Sequence, residues 1–227
     1  QRGLDRDPWR SAERPMSSLR GLPAARVVRA LVDFPPPRGV REVSELAGAS
    51  LGSTARTIDL LDREALIGRD ESGAIRSVDW PALLERWSND YDPSRGRRVV
   101  GLLAPRGVES VRNGLRGWRG RYAISGSLAA AQWEPYAATK LAIVYAADAE
   151  KVQSRLKLVD PPSIANVLVI EPGDDLPFER KIAQDDLCFA APSQVVVDLL
   201  SGTGRNPEEG NALIGWMKAH EDAWRAK

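Results

Sequence analysis

Val43-Ser44-Glu45-Leu46-Ala47-Gly48-Ala49-Ser50-Leu51-Gly52-Ser53-Thr54 reads as the end of one helix, a tight turn and the start of another. Val43, Leu46 and Ala47 fall on one inward face of a helix over about residues 40–47. Gly48-Ala49-Ser50 is the turn, and Ser50 is placed to cap the next helix with its side-chain oxygen. That helix runs over about residues 51–65, with Ile58, Leu61 and Leu66 as its core face and Thr54 and Thr57 where valine is commoner. Upstream, Leu22-Pro23 opens a helix carrying Ala25, Val27, Val28, Leu31 and Val32, and Phe34-Pro35-Pro36-Pro37 ends it. Downstream, residues 66–69 and 74–78 pair as strands around Asp70-Glu71-Ser72-Gly73. Asp79-Trp80-Pro81 then caps a helix over residues 82–91.

Helix, helix, turn, helix and hairpin is the order of a winged helix-turn-helix, and the central run resembles the "ELAxxxGxSxxTV" pattern of bacterial winged-helix regulators. The resemblance implies that the helix after Ser50 reads DNA through its outward residues Leu51, Gly52, Ser53, Ala55 and Arg56. Arg56 suits a bidentate contact to guanine, Leu51 a thymine methyl and Ser53 a phosphate. The competing reading of Arg56 is an ordinary helix arginine paired with Asp59 or Asp62. Arg41 at the start of the preceding helix, and Arg69 and Arg76 flanking the hairpin tip, are candidate phosphate contacts. Asp70 and Glu71 at that tip argue against deep insertion into the minor groove. Charge supports the same reading. Residues 1–120 hold 21 Arg, no Lys and 16 acidic residues, a net of +5, whereas residues 121–227 have a net of −4.

Residues 93–98, with Arg95, Arg97 and Arg98, form a basic linker. Beyond it, helices and strands alternate: strands over 99–103, 122–124, 141–145 and 165–171, and helices over 107–118, 127–133, 148–156, 193–200 and 208–224. Residues 122–150 contain a Gly126-Ser127 turn, a short helix and a buried strand, which resembles the opening of a nucleotidyltransferase. In those enzymes alternate residues of the strand are aspartates that hold two magnesium ions. Here the strand is Leu141-Ala142-Ile143-Val144-Tyr145, and no carboxylate appears before Asp148. Asp148 and Glu150 read as helix-capping acids, and Asp174-Asp175 as a solvated turn. Ser125-Gly126-Ser127-Leu128-Ala129-Ala130 together with Ala191-Pro192-Ser193-Gln194-Val195-Val196-Val197-Asp198-Leu199-Leu200 resembles AbiEi-type antitoxins of the type IV toxin–antitoxin systems and related actinobacterial regulators. That resemblance implies binding to inverted repeats in the protein's own promoter, with a toxic nucleotidyltransferase as operon partner.

The expected fold class is therefore α+β. Residues 1–20 form an extended basic arm, 21–92 a winged helix-turn-helix, 93–98 a linker, and 99–227 a mixed α/β nucleotidyltransferase-like domain without catalytic acids. The expected function is sequence-specific binding of double-stranded DNA as an autoregulating, antitoxin-like regulator, possible as a homodimer, with no enzymatic activity, cofactor or metal. Two other readings stay open: a module that targets a missing upstream catalytic domain to DNA, and a nucleotidyltransferase using Asp148, Glu150 or Asp174 as unconventional ligands. Beginning at Gln1 rather than Met fits a truncated chain. No apolar run approaches the roughly 18 residues of a membrane span. The single cysteine, Cys188, lies in a strand-like apolar run and fits a reducing cytoplasm. His220 stands alone, without the companions a metal site needs.

Overall fold

The computed structural model describes residues 16–226 and is a mixed α+β fold with two antiparallel or mixed sheets. The expected arm over residues 1–20 lies outside the described residues up to residue 15. The rest of it, Met16–Arg20, has no regular structure but buries Leu19 to 1% exposure, with its amide donating to Asp90 Oδ2 at 2.7 Å.

Three helices follow: α1 (Leu22–Asp33), α2 (Val40–Ala47) and α3 (Leu51–Arg63). Pro23 sits in the first turn of α1, where a missing N–H costs nothing. Gly48 ends α2 in the left-handed conformation at φ 55°, which a residue without Cβ adopts freely. The Ser50 hydroxyl then accepts from the Ser53 amide at 3.2 Å and starts α3. Thr54 and Thr57 are buried among apolar neighbours because their hydroxyls return to the Ser50 and Ser53 carbonyls, at 3.0 and 2.9 Å. Leu46, expected inward, is instead 36% exposed, so the inner face of α2 is narrower than its apolar spacing suggests. Strands β1 (Ile67–Arg69) and β2 (Ile75–Val78) form an antiparallel hairpin, and Arg38 exchanges two backbone hydrogen bonds with Ile75 on its outer side.

Helix α4 (Trp80–Ser88) is capped by Asp79 and stops three residues before the expected end, which releases Tyr91 from the helix. The six-stranded sheet comprises β3 (Arg98–Leu102), β4 (Tyr122–Ser125), β5 (Ala142–Ala146), β6 (Val167–Glu171), β7 (Ile182–Gln184) and β8 (Leu187–Phe189). Its spatial order is β3-β6-β5-β4-β8-β7. The β5–β6 and β4–β8 pairs are parallel, and the others are antiparallel. Every residue of β4 and β5 is buried, which is why neither shows polar alternation. Strand β7 was not expected: three residues, two of them exposed, carry no periodic signal. Cys188 on β8 is half-buried.

The intervening helices are α5 (Glu109–Leu115), α6 (Gly126–Ala130) and α7 (Ala149–Leu156). They are followed by α8 (Pro192–Leu200), α9 (Asn206–Ala219) and α10 (Glu221–Trp224). The long helix expected over residues 208–224 breaks at His220, whose backbone leaves the helical region at φ −133°.

Helix α8 is the hub. Residues 192–199 are all buried, and it packs on α9 and α6 on the sheet side and on α4 and α1 on the other. Its polar residues are satisfied by one chain of buried hydrogen bonds. Arg29 donates to Asp33 Oδ2 at 3.1 Å and to Gln194 Oε1 at 3.1 Å, while Ser193 Oγ donates to Asp33 Oδ1 at 2.5 Å. The Gln194 amide nitrogen donates to the Tyr91 hydroxyl at 2.8 Å and to Asp198 Oδ1 at 3.0 Å. Asp198 also accepts from Tyr91 and Tyr145, both at 2.8 Å, and from Ser125 at 2.5 Å. Burial pushes the Asp198 carboxyl above its ordinary range, against the pull of these four donors. Burial, reinforced by the Asp198 charge, raises Tyr91 and Tyr145 as well.

Two outcomes are expected. Asp198→Ala strands four buried donors and should cost about 3 kcal/mol or more in urea unfolding, with α1–α4 and the sheet still melting in one calorimetric transition. For the tyrosines, raised folded pKa values mean that their stabilising contribution is complete below the ordinary tyrosine value near about 10 and is lost as pH rises toward the folded values. The urea midpoint should therefore fall above about pH 10, and more gently in Tyr145→Phe than in the parent protein.

Candidate nucleic-acid interface

The expected contact residues divide into two electrostatic groups. At the start of α3, Leu51 is 47% exposed, Gly52 is exposed and Ser53 is half-buried. The exposed Arg56 lies one turn further on, with Nη2 3.4 Å from the Ser53 hydroxyl, which in turn accepts from Ser50 Oγ at 3.0 Å. These side chains form a short hydroxyl–guanidinium row along the first turn and a half of the helix. Among the described residues no carboxylate lies within 4.0 Å of Arg56. Asp59 and Asp62 are instead taken by Arg69, whose Nη1 is 3.0 Å from Asp59 and 3.6 Å from Asp62.

Arg69 and Arg76 on the hairpin are consequently partnered cations. Arg69 also donates to the Gly73 carbonyl at 3.3 Å, and Arg76 Nε lies 2.6 Å from Asp70 Oδ2. The Ser72 hydroxyl and then Arg76 hold the Asp70 carboxyl well below the usual carboxylate range, so the tip stays ion-paired across the physiological range. Arg41 is exposed in the first turn of α2, with no carboxylate within 4.0 Å among the described residues. The eight residues of α2 span about 12 Å, so Arg41 stands nearly a helix length from the turn at Ser50.

Sequence reading missed the way residues 16–20 line this surface. Arg63 donates to the Met16 carbonyl at 2.7 Å, and Arg86 to that of Ser17 at 3.3 Å. Met16 and Arg20 join Ser53 and Arg56 around a small cavity of about 160 Å³. Nothing local in Met16-Ser17-Ser18-Leu19-Arg20 signals this docking except its two apolar residues, Met16 and Leu19.

The acids of the sheet half are dispersed. Asp148 caps α7 through the Lys151 amide and pairs with the Lys151 side chain at 3.1 Å. Glu150 lies 3.4 Å from Arg98, and Asp174 lies 3.5 Å from Arg97, while Asp175 pairs with Arg121 at 2.6 Å. Among the described residues no three of His, Cys, Asp and Glu cluster as metal ligands, and no helix is long and apolar enough to cross a membrane. Gly126 turns at φ 61°, where a Cβ would lie 3.0 Å from Ile143 Cδ1, and this turn places Ser127 at the start of α6.

No protein-family model, no curated protein and no solved structure matches this chain significantly.

Removing the Ser50 hydroxyl tests the local design. Ser50→Ala should lower stability by about 1 kcal/mol in urea unfolding, with amide exchange accelerated first at residues 51–53.

Proposed function

We propose that the chain binds double-stranded DNA sequence-specifically, with α1–α3 and the β1–β2 hairpin acting as a winged helix-turn-helix and α3 as its reading helix. The observation that carries this reading is the exposed Arg56 in the first half of α3, beside Ser53 and Leu51 and without a carboxylate partner among the described residues. A guanidinium with no carboxylate partner among the described residues gives up only one exposed 3.4 Å bond to Ser53 when its fork turns to a guanine edge. The acidic second half of α3 limits how the helix can lie against phosphates. Asp59 is held by Arg69 but remains largely exposed, so the helix approaches the groove with its N-terminal end foremost. Arg41 then stands as the phosphate contact of α2, whereas Arg69 and Arg76 contribute less because each would have to leave an internal carboxylate.

In this reading the sheet half is a nucleotidyltransferase-like scaffold whose central strand β5 carries apolar residues where such enzymes place metal-binding acids. The resemblance to AbiEi-type antitoxins extends the proposal to autoregulation of its own operon, by a dimer on inverted repeats, with a nucleotidyltransferase toxin as partner. The dispersed, ion-paired Asp148, Glu150 and Asp174 weigh against their acting together as ligands in an enzyme.

A gel-shift titration on the DNA upstream of the gene, against a scrambled duplex of equal length, tests the reading. Arg56→Ala should weaken specific binding by about 1–3 kcal/mol and bring it toward the scrambled control. Arg41→Ala should weaken both duplexes alike and lower the salt slope by about 1. Equal affinity for both duplexes in the parent protein, unchanged in Arg56→Ala, would sink the claim of specific readout.

A further inference from the structure

Among the described residues that are both polar and buried as a whole, Glu209 is the one whose side chain has no partner. It lies in the first turn of α9 and is only 7% exposed, yet its carboxylate makes no hydrogen bond or ion pair with any described residue. By contrast, Arg29, Asp33, Ser125, Ser193, Gln194 and Asp198 are comparably buried and all bonded. Its oxygens are not sealed off from water, so what little exposure the side chain keeps is where a ligand's donor can replace a solvent one.

The surroundings of Glu209 have the form of a site. It lines a cavity of about 350 Å³, within the size range of small-molecule pockets, together with Ser127, Lys140, Arg205 and Asn206. Lys140 and Arg205 are exposed, and neither lies within 4.0 Å of a carboxylate among the described residues. The cavity therefore holds one carboxyl group and two rim cations that form no ion pair with it. The Ser127 hydroxyl, positioned by the Gly126 turn, also has no hydrogen-bond partner among the described residues.

We propose that this cavity binds a small polar molecule with a hydrogen-bond donor group at one end, an ammonium or a pair of hydroxyls, and an anionic group at the other. The donor end meets Glu209 and the anion meets Lys140 and Arg205, with Ser127 and Asn206 as neutral contacts between them. The site belongs to the sheet half and stands whether or not α3 reads DNA.

Backbone-amide NMR titration of the whole chain with 5-aminovalerate, ribose 5-phosphate and inorganic phosphate is the test. Saturable shifts confined to residues 126–128, 137–141 and 205–210 are expected for one of the first two probes. Which of them binds distinguishes an ammonium from a hydroxyl donor. Inorganic phosphate alone should bind at least about tenfold more weakly, and Glu209→Gln and Arg205→Ala should each weaken the bound probe about tenfold. If Glu209→Gln does not fold, Arg205→Ala and Lys140→Ala, both at exposed positions, carry the same comparison. Absence of localised shifts with both organic probes up to about 10 mM would overturn the proposal. So would inorganic phosphate binding as well as ribose 5-phosphate, or affinity unchanged in every variant.

Discussion

Gln194 donates to Asp198 and Tyr91 with its amide nitrogen and accepts from Arg29 with its oxygen, and this one side chain joins the two halves of the molecule. On one side of it stands the Arg29–Asp33 pair of α1, and on the other the Asp198 cluster that reaches Ser125 on β4 and Tyr145 on β5. Each of these groups is expensive to bury alone and is tolerated only while the others are in register. The network therefore constrains the relative placement of α1, α8 and the sheet more sharply than apolar packing alone. Apolar surfaces can slide at small cost, whereas a chain of directional bonds cannot.

The same constraint shapes the surface. Helix α1 sits on α8 and α4, and α2 and α3 pack on α1 in turn, so the start of α3 is held through α1. On that surface the internal pairing of charges sorts arginines that look alike. Arg69 takes Asp59 and Asp62, and Arg76 takes Asp70, leaving Arg56 and Arg41 without carboxylate partners among the described residues. A basic composition in the first half thus becomes a few available cations rather than a uniform positive face.

Much of the order of elements was legible because its signals are local. The 3–4 apolar spacing, Pro23, the Pro35–Pro37 stop, the Ser50 cap and the turn around Gly73 each act within a few residues. Of the candidate interface, the exposure of Leu51, Gly52 and Arg56 followed from the same periodicity. Their pairing did not. Asp59 lies one helical turn from Arg56, yet the hairpin brings Arg69 onto it and onto Asp62 from outside the helix. The docking of Met16–Arg20, the release of Tyr91 from α4 and the burial of Asp198 and Glu209 were equally hidden, since each depends on residues far apart in the chain.

The sequence by itself determined the helices, the turn between α2 and α3, the hairpin and the apolar central strand, because these follow from backbone geometry and side-chain periodicity over a turn or two. Only the tertiary structure decided which polar residues are partnered and which are left over. Gln194 and Asp198 are polar residues in an otherwise apolar helix, and Glu209 is an acid in the first turn of another. Long-range packing bonds the first two and leaves the third at a cavity without a partner among the described residues. The reason is that a charge or hydrogen bond is settled by distance in space, and the fold brings together groups more than a hundred residues apart.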